Sequence, residues 1–262
     1  MGTQYRPHIE ITTQIGCPVQ CKMCPQSVLL SRYMGERRLT LDNFKFMCDK
    51  MPPEVDIHFS GMCEPFINPD AIDMVEYAAQ NHSVSVFTTL MSLDIDKYDR
   101  LRKTPFRWFC VHVPDGQLNT KLKCNPAYLQ LLRRVTNNQP KCEKFWFSMH
   151  GDFHPATIPI IYGYDIENTM IDRAGNLDLA WCEKQELKNP ICTCSNYNQN
   201  ILLPDGTVLL CCMDYGMKHV LGNLMEQEYK DLKRQRSYDL CKKCNRAIEN
   251  GGYEAAFSYA KP

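Results

Sequence analysis

The sequence carries no net charge: its 262 residues hold 30 lysines and arginines against 30 aspartates and glutamates. That balance excludes a general electrostatic grip on nucleic acid or anionic membrane, so neither is expected as a partner. No apolar run approaches the roughly 18 residues that a membrane-spanning helix needs. The opening, MGTQYRPHIE, has neither the basic start nor the apolar core of a signal peptide. A soluble, cytoplasmic protein is the expectation. Internal repeats and low-complexity tracts are also missing. The length suits one large α/β domain, or one such domain with a small appendage.

What the chain has in excess is cysteine, with 15 residues. They do not follow the spacing of a disulfide framework, and nothing points to export. Metal binding accounts for their clustering better than nucleophilic catalysis by one of them.

The first two thirds alternate short apolar runs with amphipathic ones. Strands are predicted at 8–15, 55–61, 83–89, 108–113, 144–149 and 167–172. Thr40 caps a predicted helix whose Leu41, Phe44, Met47 and Met51 share a face. Asn68-Pro69 and Asn125-Pro126 read as cap-then-proline starts of two more. Strands alternating with helices pair in parallel. Six such units predict an α/β fold of the partial (β/α)6 TIM-type barrel kind, with active residues in the loops after the strands. From about residue 180 the texture changes. A hairpin is expected around Pro204-Asp205-Gly206, then a short helix from about 224 to 236 and a C-x2-C knuckle. The expected division is 1–180 for the barrel and 181–262 for a small cysteine-rich domain.

The loop after the first strand, GCPVQCKMCPQ, sets Cys17, Cys21 and Cys24 inside eight positions. A structural zinc site closes with four protein ligands, so three thiolates suit a centre with one position kept open. A chance trio of buried cysteines, or a zinc site completed from elsewhere, is the alternative. The C-x3-C-x2-C pattern resembles the signature of the radical S-adenosylmethionine (radical SAM) superfamily, although Met23 stands where an aromatic residue is common. The resemblance implies that the three thiolates hold a [4Fe–4S] cluster whose fourth iron is chelated by SAM. It also implies reductive cleavage of SAM to methionine and a 5′-deoxyadenosyl radical.

Other segments extend the likeness. SGMCEPFINP, at 60–69, is similar to the family's glycine-rich stretch ending in Glu-Pro, with Met62-Cys63 where the family usually shows two adjacent glycines before the acid. By that likeness the Gly61–Glu64 segment meets the SAM amino group, with Glu64 its charged partner. Thr88, Thr89, His112, Ser148 and His150, at strand ends, would face the SAM ribose or carboxylate, or else are core and loop residues. Cys194, Gly206 and Cys211 match the hairpin motif of the SPASM/Twitch extensions, and Cys241 and Cys244 the second ligand pair. No cysteine follows that pair, so the resemblance implies a Twitch-like domain with one auxiliary [4Fe–4S] cluster on Cys194, Cys211, Cys241 and Cys244. A four-cysteine structural zinc is the alternative there.

Eight cysteines are left over and read in the main as small buried hydrophobes. Cys63 and Cys212, beside motif residues, are singled out as hydrogen-atom donors. Arg173, closing the sixth strand, is expected to clamp a phosphate, carboxylate or sugar hydroxyl, or to pair with Asp172 or Asp178. Asp214 and Tyr215 are placed beside the auxiliary ligands. Compact Twitch-bearing relatives include an aminocyclitol dehydrogenase whose second cluster takes the electron left after abstraction. The resemblance therefore implies oxidation or epimerisation of a sugar, aminocyclitol or nucleotide-sugar, with an external donor such as flavodoxin or ferredoxin. A peptide-modifying SPASM maturase is the runner-up, disfavoured because the first strand starts within ten residues of Met1 and no peptide-recognition extension is seen. A non-catalytic iron–sulfur or zinc module is the alternative of another class.

Overall fold

A computed structural model describes residues 6–168, 171–179, 186–192, 199–234 and 238–249. Strands β1 (His8–Ile11), β2 (Asp56–Phe59), β3 (Val84–Thr88), β4 (Phe106–His112), β5 (Cys142–Met149) and β6 (Ile166–Asn168) pair in sequence order, all parallel. Helices lie between them: α1 (Gln26–Arg32), α2 (Leu41–Cys48), α3 (Ala71–Ala78), α4 (Ile95–Leu101), α5 (Pro126–Asn137) and α6 (Ile158–Ile161). A further strand, β7 (Pro190–Cys192), pairs antiparallel with β11 (Ala247–Glu249). The predicted open barrel is present.

The hairpin predicted around Gly206 also forms, from β8 (Gln199–Leu202) and β9 (Thr207–Leu209), with β10 (Val220–Asn223) beyond it. Gly206 holds φ +89°, the left-handed turn conformation that glycine adopts without a Cβ clash. The hairpin does not stand apart. β8 runs parallel to β1, pairing His8 with Gln199 and Ile11 with Leu202, so one nine-stranded sheet of order β10-β9-β8-β1-β2-β3-β4-β5-β6 is described. The cysteine-bearing C-terminal segment is thereby fixed to the strand that feeds the three-cysteine loop.

The period of two along the strands sorts their side chains. Ile9, Ile57, Val86, Phe109 and Phe147 turn outward and join one core with Phe44, Met47, Val75, Tyr98 and Leu132 of the helices. Burying each such side chain contributes roughly 1.5–3 kcal/mol. The alternate positions face the barrel interior and are aromatic or polar. His8 stacks on His58 at 4.1 Å between ring centroids, and His58 lies 5.4 Å from Trp108.

Capping follows the sequence. Thr40 accepts from Asn43 N at 3.2 Å, and Asn125 from Tyr128 N at 2.8 Å with Pro126 behind it. Asn68 ends the short 3-10 helix Pro65–Ile67; its Oδ1 accepts from Asp70 N at 3.0 Å, just past Pro69, while its Nδ2 donates to Thr13 O and Leu39 O. α3 itself starts after Asp70. The helix expected at 224–236 is replaced by turns and a 3-10 helix at Tyr229–Asp231. Leu224 N bonds to Gly206 O in the hairpin, and Lys233 N, which a helix would bond to Tyr229 O, goes to Leu221 O of β10 instead. Residues 235–237 lie outside the described residues.

Candidate active site

The three-cysteine loop leaves β1 at the C-terminal end of the sheet and is pinned by backbone bonds. Ile15 N bonds to Arg37 O, Cys24 N to Cys21 O, and Lys22 N to Asn119 O at 2.7 Å. The last of these comes from the loop after β4, and Asp115 organises that loop. Fully buried, its carboxylate accepts from the backbone amides of Gln117, Asn119 and Thr120 and from the Thr120 hydroxyl, at 2.8–3.1 Å. Burial alone would push this carboxyl up, but the four donors outweigh it and hold the group below the usual aspartate value. Asp115→Ala strands those donors and is expected to cost about 2–4 kcal/mol at neutral pH in urea unfolding. Because the folded value is depressed, Asp115's contribution is present above the unfolded value of about 3.9 and fades as pH falls through the folded one. The deficit of the variant should therefore shrink in acid; a deficit constant with pH would contradict this account.

Gly61 follows β2 and crosses under β1. A Cβ there would stand 2.5 Å from Ile11 O and 2.6 Å from Thr12 Oγ1, and φ is +45°. Only glycine fits so close an approach. The crossing brings Glu64 against the cysteine loop: Glu64 N donates to Cys17 Sγ at 3.4 Å. The Glu64 side chain, 4% exposed, takes four donors. Thr88 Oγ1 at 2.7 Å and Phe66 N at 3.4 Å reach Oε1; Thr89 N at 2.6 Å and Thr89 Oγ1 at 2.7 Å reach Oε2. Both threonines expected to touch a cofactor are thus bonded to Glu64.

These parts surround one cleft of about 310 Å3. Cys17, Cys21 and Cys24 open onto it, with Gly61, Cys63 and Glu64 on the β2 side. Burial pushes the Cys21 thiol up to about 12, with Cys24 and Cys17 adding to the shift, so the thiols feel each other's charge. Among the described residues no three Cys, His, Asp or Glu side chains are grouped as a single metal ion requires. A [4Fe–4S] cluster asks for sulfurs set around it, each on a different iron. Three soft donors on one loop, opening on a cleft that can supply a fourth ligand, fit that group.

The wall opposite carries His112 on β4 and Ser148 on β5, with His150 just beyond. Cys110 donates to Ser148 Oγ at 3.3 Å, and Ser148 meets His112 Nδ1 at 3.0 Å. Burial, with His150 and Arg173 nearby, lowers the His112 value to about 3. The imidazole is therefore neutral, and its buried Nε2 has no hydrogen-bond partner among the described residues. Trp146 Nε1 donates to Glu167 at 3.2 Å on the same wall. Cys110, Trp146 and Glu167 were not assigned from the sequence; the inward phase of β4 and β5, already set by His112 and Ser148, would have found the first two.

Arg173 lines the cleft, and its Nε donates to Met23 O inside the cysteine loop at 3.3 Å. Of the two thiols expected to donate hydrogen, Cys63 borders the cleft, 3.6 Å from Thr13 Oγ1. Cys212 lies among Glu10, Arg173, Arg246 and Cys244, and burial pushes its thiol up to about 11. Cys211, Cys241 and Cys244 are all buried, and Cys211 feels the charge of Cys244. Cys194 lies outside the described residues.

Comparison with known proteins bears on this arrangement. The iron–sulfur cluster-binding domain family SPASM matches residues 192–245, a segment holding Cys194, Cys211, Cys241 and Cys244. Three radical SAM enzymes of known structure share the architecture. BtrN in complex with AdoMet and 2-DOIA aligns with TM-score 0.64 at 17% identity, covering 92% of this chain and 93% of its own. The chain shares the fold of these structures, and its residues 192–245 match the SPASM family. Streptococcus suis SuiB bound to precursor peptide SuiA aligns with TM-score 0.59 at 11% identity, over 92% of this chain and 71% of that one. Native anSMEcpe with bound AdoMet gives 0.58 at 14%, over 86% and 79%. At such identities the likeness is one of fold. No curated protein sequence matches the chain. No helix among the described residues is long and apolar enough to cross a membrane.

Proposed function

We propose that this radical SAM fold cleaves SAM reductively and abstracts a hydrogen atom from a sugar, aminocyclitol or nucleotide-sugar, oxidising or epimerising it. The observation that carries the reading is the convergence of Cys17, Cys21, Cys24 and Glu64 on one cleft from two separate motifs. When bound, the cluster and SAM supply a 5′-deoxyadenosyl radical, and an auxiliary cluster in the SPASM domain supplies a one-electron acceptor. Electrons reach the protein from an external carrier such as flavodoxin or ferredoxin.

The residues of this chain do the rest. Glu64, with Gly61 beneath it, offers a buried negative charge for an ammonium. Neutral His112, with Nε2 unbonded, and Ser148 offer donors and acceptors of the kind that orient hydroxyl groups. Trp146 gives a flat apolar face suited to a sugar ring, and Glu167 beside it an acceptor. Arg173 holds the cysteine loop by its Nε and keeps its charge inside the cleft. A peptide substrate is the second reading, favoured by the SuiB structure with its precursor peptide bound.

Reduced, reconstituted protein should form 5′-deoxyadenosine from SAM; a protein that loads iron but never does so is a non-catalytic module. Oxidation against epimerisation is decided in deuterated water. Oxidation releases a proton and an electron from the substrate radical and needs no hydrogen returned, and it is the expected outcome. Deuterium fixed at a retained carbon, lost on changing Cys63, Cys110 or Cys212 to Ala, would move the assignment to epimerisation.

A further inference from the structure

Tyr215 sits in an apolar nest of Ile15, Leu29, Met62, Ile201, Leu203 and Leu209, and is 3% exposed. A hydroxyl in such a place is costly unless bonded. Its oxygen lies 3.4 Å from Cys24 Sγ, a contact between residues 191 positions apart. The same sulfur receives Gln26 Nε2 at 3.5 Å. Tyr215 stands four residues beyond Cys211, on a turn closed by Asp214 N to Cys211 O and Tyr215 N to Met213 O, both 3.0 Å. The Asp214 carboxylate braces that turn, accepting from Lys218 N and His219 N at 3.0 and 2.8 Å.

A second tie runs alongside. Asn176 Nδ2 donates to Met213 O at 2.8 Å and to Arg173 O at 2.7 Å, and Arg173 Nε reaches Met23 O. Arg173 and Ala174 hold φ of 54° and 55°, a left-handed pair that non-glycine residues enter at a cost. One knot therefore fastens the turn carrying Cys211 to the three-cysteine loop at two adjacent points, the Met23 carbonyl and the Cys24 sulfur.

We propose that Tyr215 is a positioning residue that donates a hydrogen bond to the Cys24 sulfur and raises the reduction potential of the cluster held there, coupling its reducibility to the seating of the SPASM hairpin. This rests on the radical SAM reading above. A sulfur bonded to iron carries no proton, so in the loaded protein the phenol is the donor. A donor aimed at a ligating sulfur draws off charge and favours the reduced, more negative cluster. A phenylalanine would fill the same nest, so packing alone does not call for the hydroxyl.

The test is a potentiometric titration of the full-length reconstituted protein, followed by the electron paramagnetic resonance signal that changes on adding SAM. At the potential where native protein is half reduced, Tyr215→Phe should show a reduced-to-oxidised ratio about tenfold lower, ~59 mV for a one-electron couple. Its iron content should be unchanged. Asn176→Ala, which keeps the hydroxyl but frees Met213, should shift the ratio the same way by less. An unchanged potential in Tyr215→Phe with full iron overturns the proposal. Should that variant fail to load iron, native protein grown on ring-deuterated tyrosine gives the answer: deuteron modulation on the SAM-responsive signal supports the contact, and its absence overturns it. Native protein with no SAM-responsive signal strikes down the radical SAM reading itself, and this inference with it; failure confined to the variant strikes only the inference.

Discussion

Changing Cys17, Cys21 and Cys24 together to alanine is expected to remove about four of about eight irons and to abolish SAM cleavage, since each four-iron cluster needs its thiolates. The loop itself should survive. Its shape rests on backbone bonds such as Cys24 N to Cys21 O and Lys22 N to Asn119 O, which alanine keeps. The thermal unfolding temperature of the variant should fall below that of apo protein only by the loss of sulfur contacts such as those to Glu64 N and Tyr215, while iron and 5′-deoxyadenosine fall together. Eight irons retained in the triple variant would remove these thiols from cluster ligation. The remaining four irons report on the other site. Cys211, Cys241 and Cys244 are all buried, but burial suits zinc as well as iron. Stoichiometric zinc in protein isolated without oxygen, with no second cluster by Mössbauer spectroscopy, would end the auxiliary assignment.

Much of this site could be read from the sequence because it is built from local spacing. A loop that follows one strand, and an acid that follows the next, are placed on the same end of a parallel sheet by topology alone. The period of two along β4 likewise places Cys110 with His112, though only the histidine was picked out. What stayed hidden depends on distant pairing. Nothing in QNILLPDGTVL says that its first strand will run beside β1, yet that pairing brings Tyr215 to Cys24. Asn68 reads as a cap, and its Oδ1 does accept from Asp70 N, but nothing local says that its Nδ2 also ties down the Thr13 and Leu39 carbonyls, far off in sequence. The helix expected near 224–236 is broken by the same kind of distant pairing: Lys233 N bonds to Leu221 O of β10.

Glu64 is expected to be the residue whose single substitution costs most in SAM affinity. Its four donors, two hydroxyls and two amides, are all neutral. They direct the carboxylate but do not cancel its charge, and burial raises its value above the ordinary glutamate range. Ionised Glu64 is thus a cost to the empty fold, absent at low pH and incurred as pH rises through the raised value. An ammonium entering the cleft offsets that cost. The 3.4 Å bond from Phe66 N is the weakest of the four and the one such a ligand would displace. SAM binding should accordingly tighten as pH rises through the carboxyl's titration in native protein. Glu64→Gln removes the charge and sets an NH2 group against one backbone amide and one threonine hydroxyl, of which only the hydroxyl can turn to accept from it. Loss of one charge-assisted bond, about 1.5–3 kcal/mol, predicts SAM binding weaker by roughly 10- to 100-fold. Iron content should hold, because Cys17 meets Glu64 through the backbone amide, which the substitution keeps. Glu64→Ala strands all four donors and should also lower stability by roughly 3 kcal/mol, so the glutamine variant is the cleaner probe. Calorimetric SAM binding to anaerobic Glu64→Gln protein, at full iron and across pH 5 to 8, separates the two roles. Native affinity with the native pH profile would leave Glu64 as the brace between β2 and β3 and no more.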